Sequence, residues 1–209
     1  MNGTEVKNQL IFDFASGSLG PSKSIFTSTY LYLNSKASVL NKTFEAMLGD
    51  NLLHSTDAPM SKLKYTDCIS KEINKLDVSN EIVTPISKLV GPINNIKWKQ
   101  VYKGFSEFTP ELNDDDELKL IKMEPGSSVP LHSHHGKEFI LVLNGSFQDE
   151  YGNYSKGDIQ INDQYIKHNP VASKENGCIC LTITEKDVIF FGKYGSFLNL
   201  FTFIKSFFK

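Results

Sequence analysis

At 209 residues, 40% hydrophobic and 22% charged, the chain fits a globular, soluble protein of one large domain or two small ones. Its net charge of -2 argues against a general nucleic-acid-binding surface, and because all 22 basic residues are lysine it has no guanidinium to read phosphates or base edges bidentately. No apolar run reaches the roughly 20 residues that span a bilayer, and Met1 to Lys7 lacks the apolar core of a leader. Three cysteines, Cys68, Cys178 and Cys180, suit a reducing compartment better than a disulfide framework, so the expectation is a cytoplasmic protein with no direct nucleic-acid partner and no membrane span.

The first seventy residues read as helices. Val6, Leu10 and Phe14 recur at helical spacing and Gly17 is placed to end that segment. Ile25, Phe26, Tyr30 and Leu33 can line a second helix. Ala37, Leu40, Phe44, Met47 and Leu48 give a third apolar stripe, with Ser35 as N-cap and Gly49 just past the end. Residues 71–95 are polar, contain two prolines and show no sustained period, which predicts a linker.

From Ile96 to about residue 190 the texture is that of short strands and turns. Leu118–Met123 is a β-like run closed by Pro125-Gly126, and Phe139–Leu143 is a continuous apolar run ending in the hairpin signal Asn144-Gly145. Turns are expected at Tyr151-Gly152-Asn153 and Gly157-Asp158, and Cys178–Thr184 reads as a further strand. The acidic run Asp114-Asp115-Asp116 suggests a solvated hairpin tip, and Trp98 a core aromatic where the β region begins. Residues 191–209 place Phe197, Leu198, Leu200, Phe201, Ile204, Phe207 and Phe208 on one wide helical face, expected to dock on the β region or on a second subunit of a homodimer.

The chemistry is concentrated in His132-Ser133-His134-His135-Gly136-Lys137-Glu138, with His168 thirty residues farther on. In an extended strand His132 and His134 point the same way, Glu138 shares their parity, and His135 points elsewhere. A strand that turns and returns can bring His168 beside them. Three imidazoles and one carboxylate suit a divalent metal ion: Zn first, with Fe, Mn or Ni compatible, because ligand type alone does not select among them. Cys178 and Cys180 share a strand face; a buried pair is core, whereas an exposed or acidified pair is redox-active.

The spacing of Gly126, His132, His134, Glu138 and Gly145 resembles the first motif of the cupin superfamily. Gly157 to Ala172 resembles a looser second motif in which Asp163 and Tyr165 replace the usual proline and glycine. The run from Pro125 through Glu138 to Phe147, together with Asp149-Glu150, Gly152, Gly157-Asp158, His168-Asn169-Pro170 and Cys178-Ile179-Cys180-Leu181, is similar to the ChrR family of anti-sigma factors. Phe14-Ala15-Ser16-Gly17-Ser18-Leu19 and the helix pair behind it are similar more faintly.

The resemblance implies an all-β cupin barrel of the double-stranded β-helix or jelly-roll type, preceded by a small all-α anti-sigma-like domain. It implies metal ligands His132, His134, Glu138 and His168, oxidant sensing at Cys178 and Cys180, and a sigma factor as partner. The family's N-terminal zinc ligands align with Glu5, Tyr30, Asn34 and Ala37, so no structural zinc is expected there. Three functions compete: a regulator that senses an oxidant or small ligand, a metal-dependent cupin enzyme such as a dioxygenase, and a module that binds a small molecule without chemistry. No separate general base or nucleophile aligns with the site, which favours a non-enzymatic role.

Overall fold

The computed structural model describes residues 3–54, 84–112 and 114–192. Helices α1 (Gly3–Ala15), α2 (Pro21–Leu33) and α3 (Ser35–His54) pack on one another, followed by α4 (Pro85–Val90) and a 3-10 turn at Ile93–Asn95. The sequence reads part of this region differently. Asn34, rather than Ser35, caps α3: its Oδ1 accepts the Ala37 backbone N–H at 3.1 Å, satisfying one of the unpaired amides of the first turn. Gly49 does not stop α3, which continues to His54. Within the segment read as a linker, Thr84 caps α4 by accepting the Ser87 N–H, and Ile86 buries completely against the other helices. The rest of that segment before Thr84, and the C-terminal helix expected over 191–209 beyond Gly192, lie outside the described residues.

The strands are β1 (Lys99–Tyr102), β2 (Phe105–Phe108), β3 (Glu117–Met123), β4 (His132–His134), β5 (Glu138–Asp149), β6 (Gly152–Ser155), β7 (Ile159–Asn162), β8 (Val171–Ala172), β9 (Cys178–Thr184) and β10 (Val188–Phe190). All pairings among them are antiparallel. The main sheet runs β1-β2-β3-β9-β5-β6, with β7 and β8 also on β5, while β4 and β10 form a separate two-stranded sheet. Both sheets turn a face to one interior, lined from the large sheet by Ile121, Ile140, Cys180 and Thr182 and from the small one by His132, His134, Val188 and Phe190.

Alternation along the strands divides two apolar clusters. Leu118, Leu120, Phe139, Leu141, Leu181 and Ile183 face outward and share a core with Leu10, Ile11, Phe26 and Tyr30 of the helices. Met123, Ile140, Val142, Phe147, Cys178 and Cys180 fill the interior. Phe26, fully buried, meets Phe139 edge-on at 6.1 Å between ring centroids, so the helices are seated on the outer face of the sheet. Trp98 is half-buried and packs against that same core.

The hairpin expected at Asn144-Gly145 is instead a bulge inside the long strand β5. Val142 pairs with Cys180 and Asn144 with Ile179, leaving Leu143 as the extra residue. Gly145 has φ +70°, and a Cβ there would run into the Gly177 carbonyl oxygen. Asn-Gly signals a positive φ, and a hairpin turn and a bulge use it equally well. The bulge inverts the phase of β5: Glu138, Ile140 and Val142 point inward before it, and Phe147 and Asp149 point inward after it. The real hairpin follows at Glu150-Tyr151, where Asp149 Oδ1 accepts the N–H groups of Tyr151 and Gly152.

The acidic run is not a merely solvated tip. Asp114 accepts the Ser22 backbone N–H at 2.6 Å, occupying the N-terminus of α2, where Gly20 offers no side-chain cap. Although its small burial opposes this, that hydrogen bond holds the Asp114 carboxyl below its ordinary value.

Candidate metal centre

Four candidate ligands come from three places in the fold. His132 and His134 occupy alternate positions of β4, and both are buried, at 4% and 2% exposure. Ser133 between them is also buried, whereas His135, just past the strand, is exposed. Gly136 then lets the chain turn into β5, whose first residue is Glu138, held in register between Thr184 of β9 and Asn162 of β7. His168 sits on the loop between β7 and β8 and exchanges two backbone hydrogen bonds with His132, which fixes the two residues side by side.

The donor atoms converge. His132 Nε2 and His168 Nε2 are 3.0 Å apart, His134 Nε2 is 3.1 Å from Glu138 Oε2, and His168 Nε2 is 3.2 Å from the same oxygen. One donor atom from each of the four residues can be chosen so that all lie within 4.8 Å of one another. Nitrogen and oxygen ligands about 2.1 Å from a common ion sit about 3.0 to 3.4 Å apart in octahedral or tetrahedral arrangements, so these separations fit a single ion. A second observation agrees: buried His134 has no hydrogen-bond partner at Nδ1, and its Nε2 meets only Glu138 Oε2, in poor hydrogen-bond geometry. The ring is thus aimed at the cluster without being satisfied there. The four residues could hold a metal ion.

Supporting contacts aim these side chains. His132 Nδ1 lies 2.9 Å from the Pro130 carbonyl oxygen, which favours the tautomer with Nδ1–H and a free Nε2 lone pair. Asn162 donates to Glu138 Oε2 at 3.0 Å. Asp149 Oδ2 lies 3.1 Å from His168 Nδ1. Spacing along the chain identifies neither Asn162 nor Asp149, since one reaches the site across a strand pair and the other through the bulge.

Electrostatics favour the ligating form at His132 and Glu138 and the protonated form at His168. Burial pushes His132 down to about 4, beyond what the Glu138 charge restores, so this ring is neutral near pH 7. Burial would raise Glu138, yet the imidazoles of His134 and His168 outweigh it and hold the carboxyl well below its ordinary range. His168 is raised, because Glu138 and Asp149 together overcome the opposing effect of its burial.

Beside the ligands lies a cavity of about 360 Å³, with apolar walls that include Phe105, Ile121, Val129, Ile140 and Phe190. Cys180 lines it as well. The Sγ atoms of Cys178 and Cys180 are 3.3 Å apart, both thiols are buried, and neither is in a disulfide. The neighbouring Cys178 thiol and burial push Cys180 well above the ordinary thiol value, so in this state it is a poor nucleophile.

In place of the zinc ligands that the N-terminal resemblance calls for, Tyr30 and Ala37 are buried in the apolar core and Asn34 joins α2 to α3 as a cap. Leu33 and Leu40 pack around them. These positions serve packing and capping.

An antiparallel β fold with three histidines and a glutamate gathered on its interior defines the cupin class. Residues 88–186 match the family model of the ChrR cupin-like domain. Across the whole length the chain is similar to the anti-sigma-E factor ChrR of Cereibacter sphaeroides, 25% identical over 201 residues that cover 92% of each protein. A chain in the crystal structure of Rhodobacter sphaeroides SigE in complex with the anti-sigma ChrR is similar in fold, with a TM-score of 0.71 and 27% identity over 85% of this chain and 96% of that one.

Proposed function

We propose that this protein is an anti-sigma regulator of the ChrR type, with the helices forming a sigma-factor-binding part and the cupin domain a sensor. The observation that carries the proposal is the extent of the likeness. The anti-sigma relative aligns over 92% of this chain and therefore includes the helices as well as the cupin domain. The buried apolar contacts of Phe26, Tyr30 and Ala37 supply folding energy to the helical part.

In this reading His132, His134, Glu138 and His168 hold one divalent ion, zinc by preference, with iron, manganese and nickel compatible with the donor set. A bound ion would supply Lewis-acid chemistry, held by His132 and His134 of β4, Glu138 of β5 and His168. An oxidant or small ligand entering the cavity would reach the four candidate ligands and the thiol of Cys180 on β9. Strand β9 carries Cys178 and Cys180 on its inner face and Leu181 and Ile183 against the helices on its outer face. A cytoplasmic location follows from a sigma-factor partner.

Purified full-length protein mixed with the sigma factors of its own organism should recover one of them stoichiometrically and inhibit transcription from its promoter. Recovery of none, alongside turnover of a substrate by the metal-loaded protein, would replace this reading with the enzymatic one. For the metal, elemental analysis should find one equivalent in the wild type and none in the His134→Ala/Glu138→Ala double variant.

A further inference from the structure

We propose that Asp149 is a positioning residue for the metal centre, holding His168 in the orientation and tautomer that turn Nε2 toward the other ligands. The inference rests on the metal reading above. Its observation is a division of labour within one carboxylate. The Asp149 side chain is fully buried. Its Oδ1 closes the β5–β6 turn through Tyr151 N–H at 2.9 Å and Gly152 N–H at 3.1 Å. Its Oδ2 faces the other way and receives Gln160 Nε2 at 2.7 Å and His168 Nδ1 at 3.1 Å. Two backbone donors on one oxygen and an amide on the other fix the plane of the carboxylate, which presents only an acceptor to His168. Nδ1 must then carry the proton, and the Nε2 lone pair is left for the cluster.

His168 has more need of such support than the other three candidates. It is the one that lies outside the short segment 132–138, and it sits on a loop. Residues on either side of it are gripped by the residues that follow Asp149: Glu150 Oε2 accepts the Asn169 N–H at 3.0 Å, and Tyr151 Oη donates to the Lys167 carbonyl at 3.2 Å. Residues 149, 150 and 151 thus hold residues 168, 169 and 167, one contact each.

The substitution Asp149→Asn separates the two roles. The backbone N–H groups of Tyr151 and Gly152 demand an acceptor, so the amide oxygen stays on the turn and the NH₂ group takes the place of Oδ2. A donor then faces Nδ1, and His168 is driven to the Nε2–H tautomer, which cannot ligate. Zinc affinity of the full chain, measured by competition with a chromophoric chelator, is expected to fall about 10- to 100-fold in Asp149→Asn. The visible absorption of the cobalt(II)-substituted protein should change with it, while the turn and the thermal midpoint of the metal-free protein are retained. Unchanged zinc affinity and an unchanged cobalt spectrum in the folded variant would overturn the proposal. A measurement on the wild type alone serves if the variant does not fold: nitrogen-15 NMR of the zinc-loaded protein should show His168 protonated at Nδ1, and a proton at Nε2 would overturn it. A wild type that binds no zinc, cobalt, iron, manganese or nickel would sink the metal reading itself, whereas a wild type that binds while Asp149→Asn binds equally sinks only this inference.

Discussion

Lys23 of α2 meets Glu185, just beyond the end of β9, at 2.9 Å, and Glu185 also accepts the backbone N–H of Lys137, the residue before Glu138. Asp116 completes the group, 3.2 Å from the same ammonium. One lysine thereby ties the helices to the edge of the candidate site, and its ammonium lies over the Phe139 ring, 5.9 Å from the centroid.

Replacing Lys23 with Met, which keeps the apolar stem, should destabilise the protein by about 1 kcal/mol at pH 7, since the pair is only partly screened from water. The effect has a pH window. Burial would raise Glu185, but its hydrogen bonds to Lys23 and the Lys137 amide win and lower it below 4.5; burial would lower Lys23, but Glu185 and Asp116 raise it above 10.5. A depressed carboxyl contributes stability above its unfolded pKa and loses it as the pH falls through the folded value; a raised lysine contributes below its unfolded pKa and loses it as the pH rises through the folded value. Urea titrations of wild type and Lys23→Met should therefore differ by a constant amount between about pH 5 and 10, and converge at either extreme.

Two glycines with similar backbone angles should respond differently to alanine. Gly17 has φ +73° with nothing near its missing Cβ, so Gly17→Ala should cost about 1 kcal/mol from backbone strain alone. Gly145 has φ +70° and lies against the Gly177 carbonyl, so Gly145→Ala should cost more, about 2 to 4 kcal/mol. Equal losses in chemical denaturation would mean that the bulge relaxes freely.

Because Phe26 and Phe139 share one core, the helices and the cupin domain should unfold together. Far-UV circular dichroism and the fluorescence of Trp98, the sole tryptophan, should report coincident transitions. Phe26→Ala should lower stability by about 3 to 5 kcal/mol. Separate transitions would show that the shared core contributes little.

Cys180 should resist iodoacetamide at neutral pH in the native state and react readily once the protein is unfolded, as read by peptide mapping of the modified sites. Rapid native alkylation would show that the thiol is reached in spite of its burial. If oxidant sensing runs through this pair, an oxidant small enough to enter the cavity should modify Cys180 where iodoacetamide does not.

Much of the site was readable in the sequence because its chemistry is local. The two-residue period of a strand puts His132 and His134 together and turns His135 away, and the structure shows that arrangement. Bringing in His168 needed only a strand that returns. What escaped was set by tertiary contacts. Asp114 acts as a cap only because α2 begins beside the β2–β3 loop, and Asn34 displaces Ser35 as the cap because its side chain reaches the Ala37 amide. Asn144-Gly145 carried a true signal for positive φ, but whether the chain reverses there depends on the neighbouring strand β9, which the local sequence does not contain. Asp149 was hidden for the same reason, since it lies an odd number of positions from Glu138 and counts as outward-facing in any unbroken strand.

That odd spacing gives the bulge a meaning beyond the shape of the sheet. Strand β5 begins with a candidate ligand and ends with the carboxylate that holds another, and the two face the same interior because one residue is slipped between Val142 and Asn144. The centre should therefore be far more sensitive to the length of this strand than to its composition. Deleting Leu143 itself would give an unbroken strand with Phe147 and Asp149 still facing inward. Deleting Ser146, between the bulge and the turn, would leave nearly every side chain in the sequence, yet rotate both out of the interior and leave His168 without its acceptor.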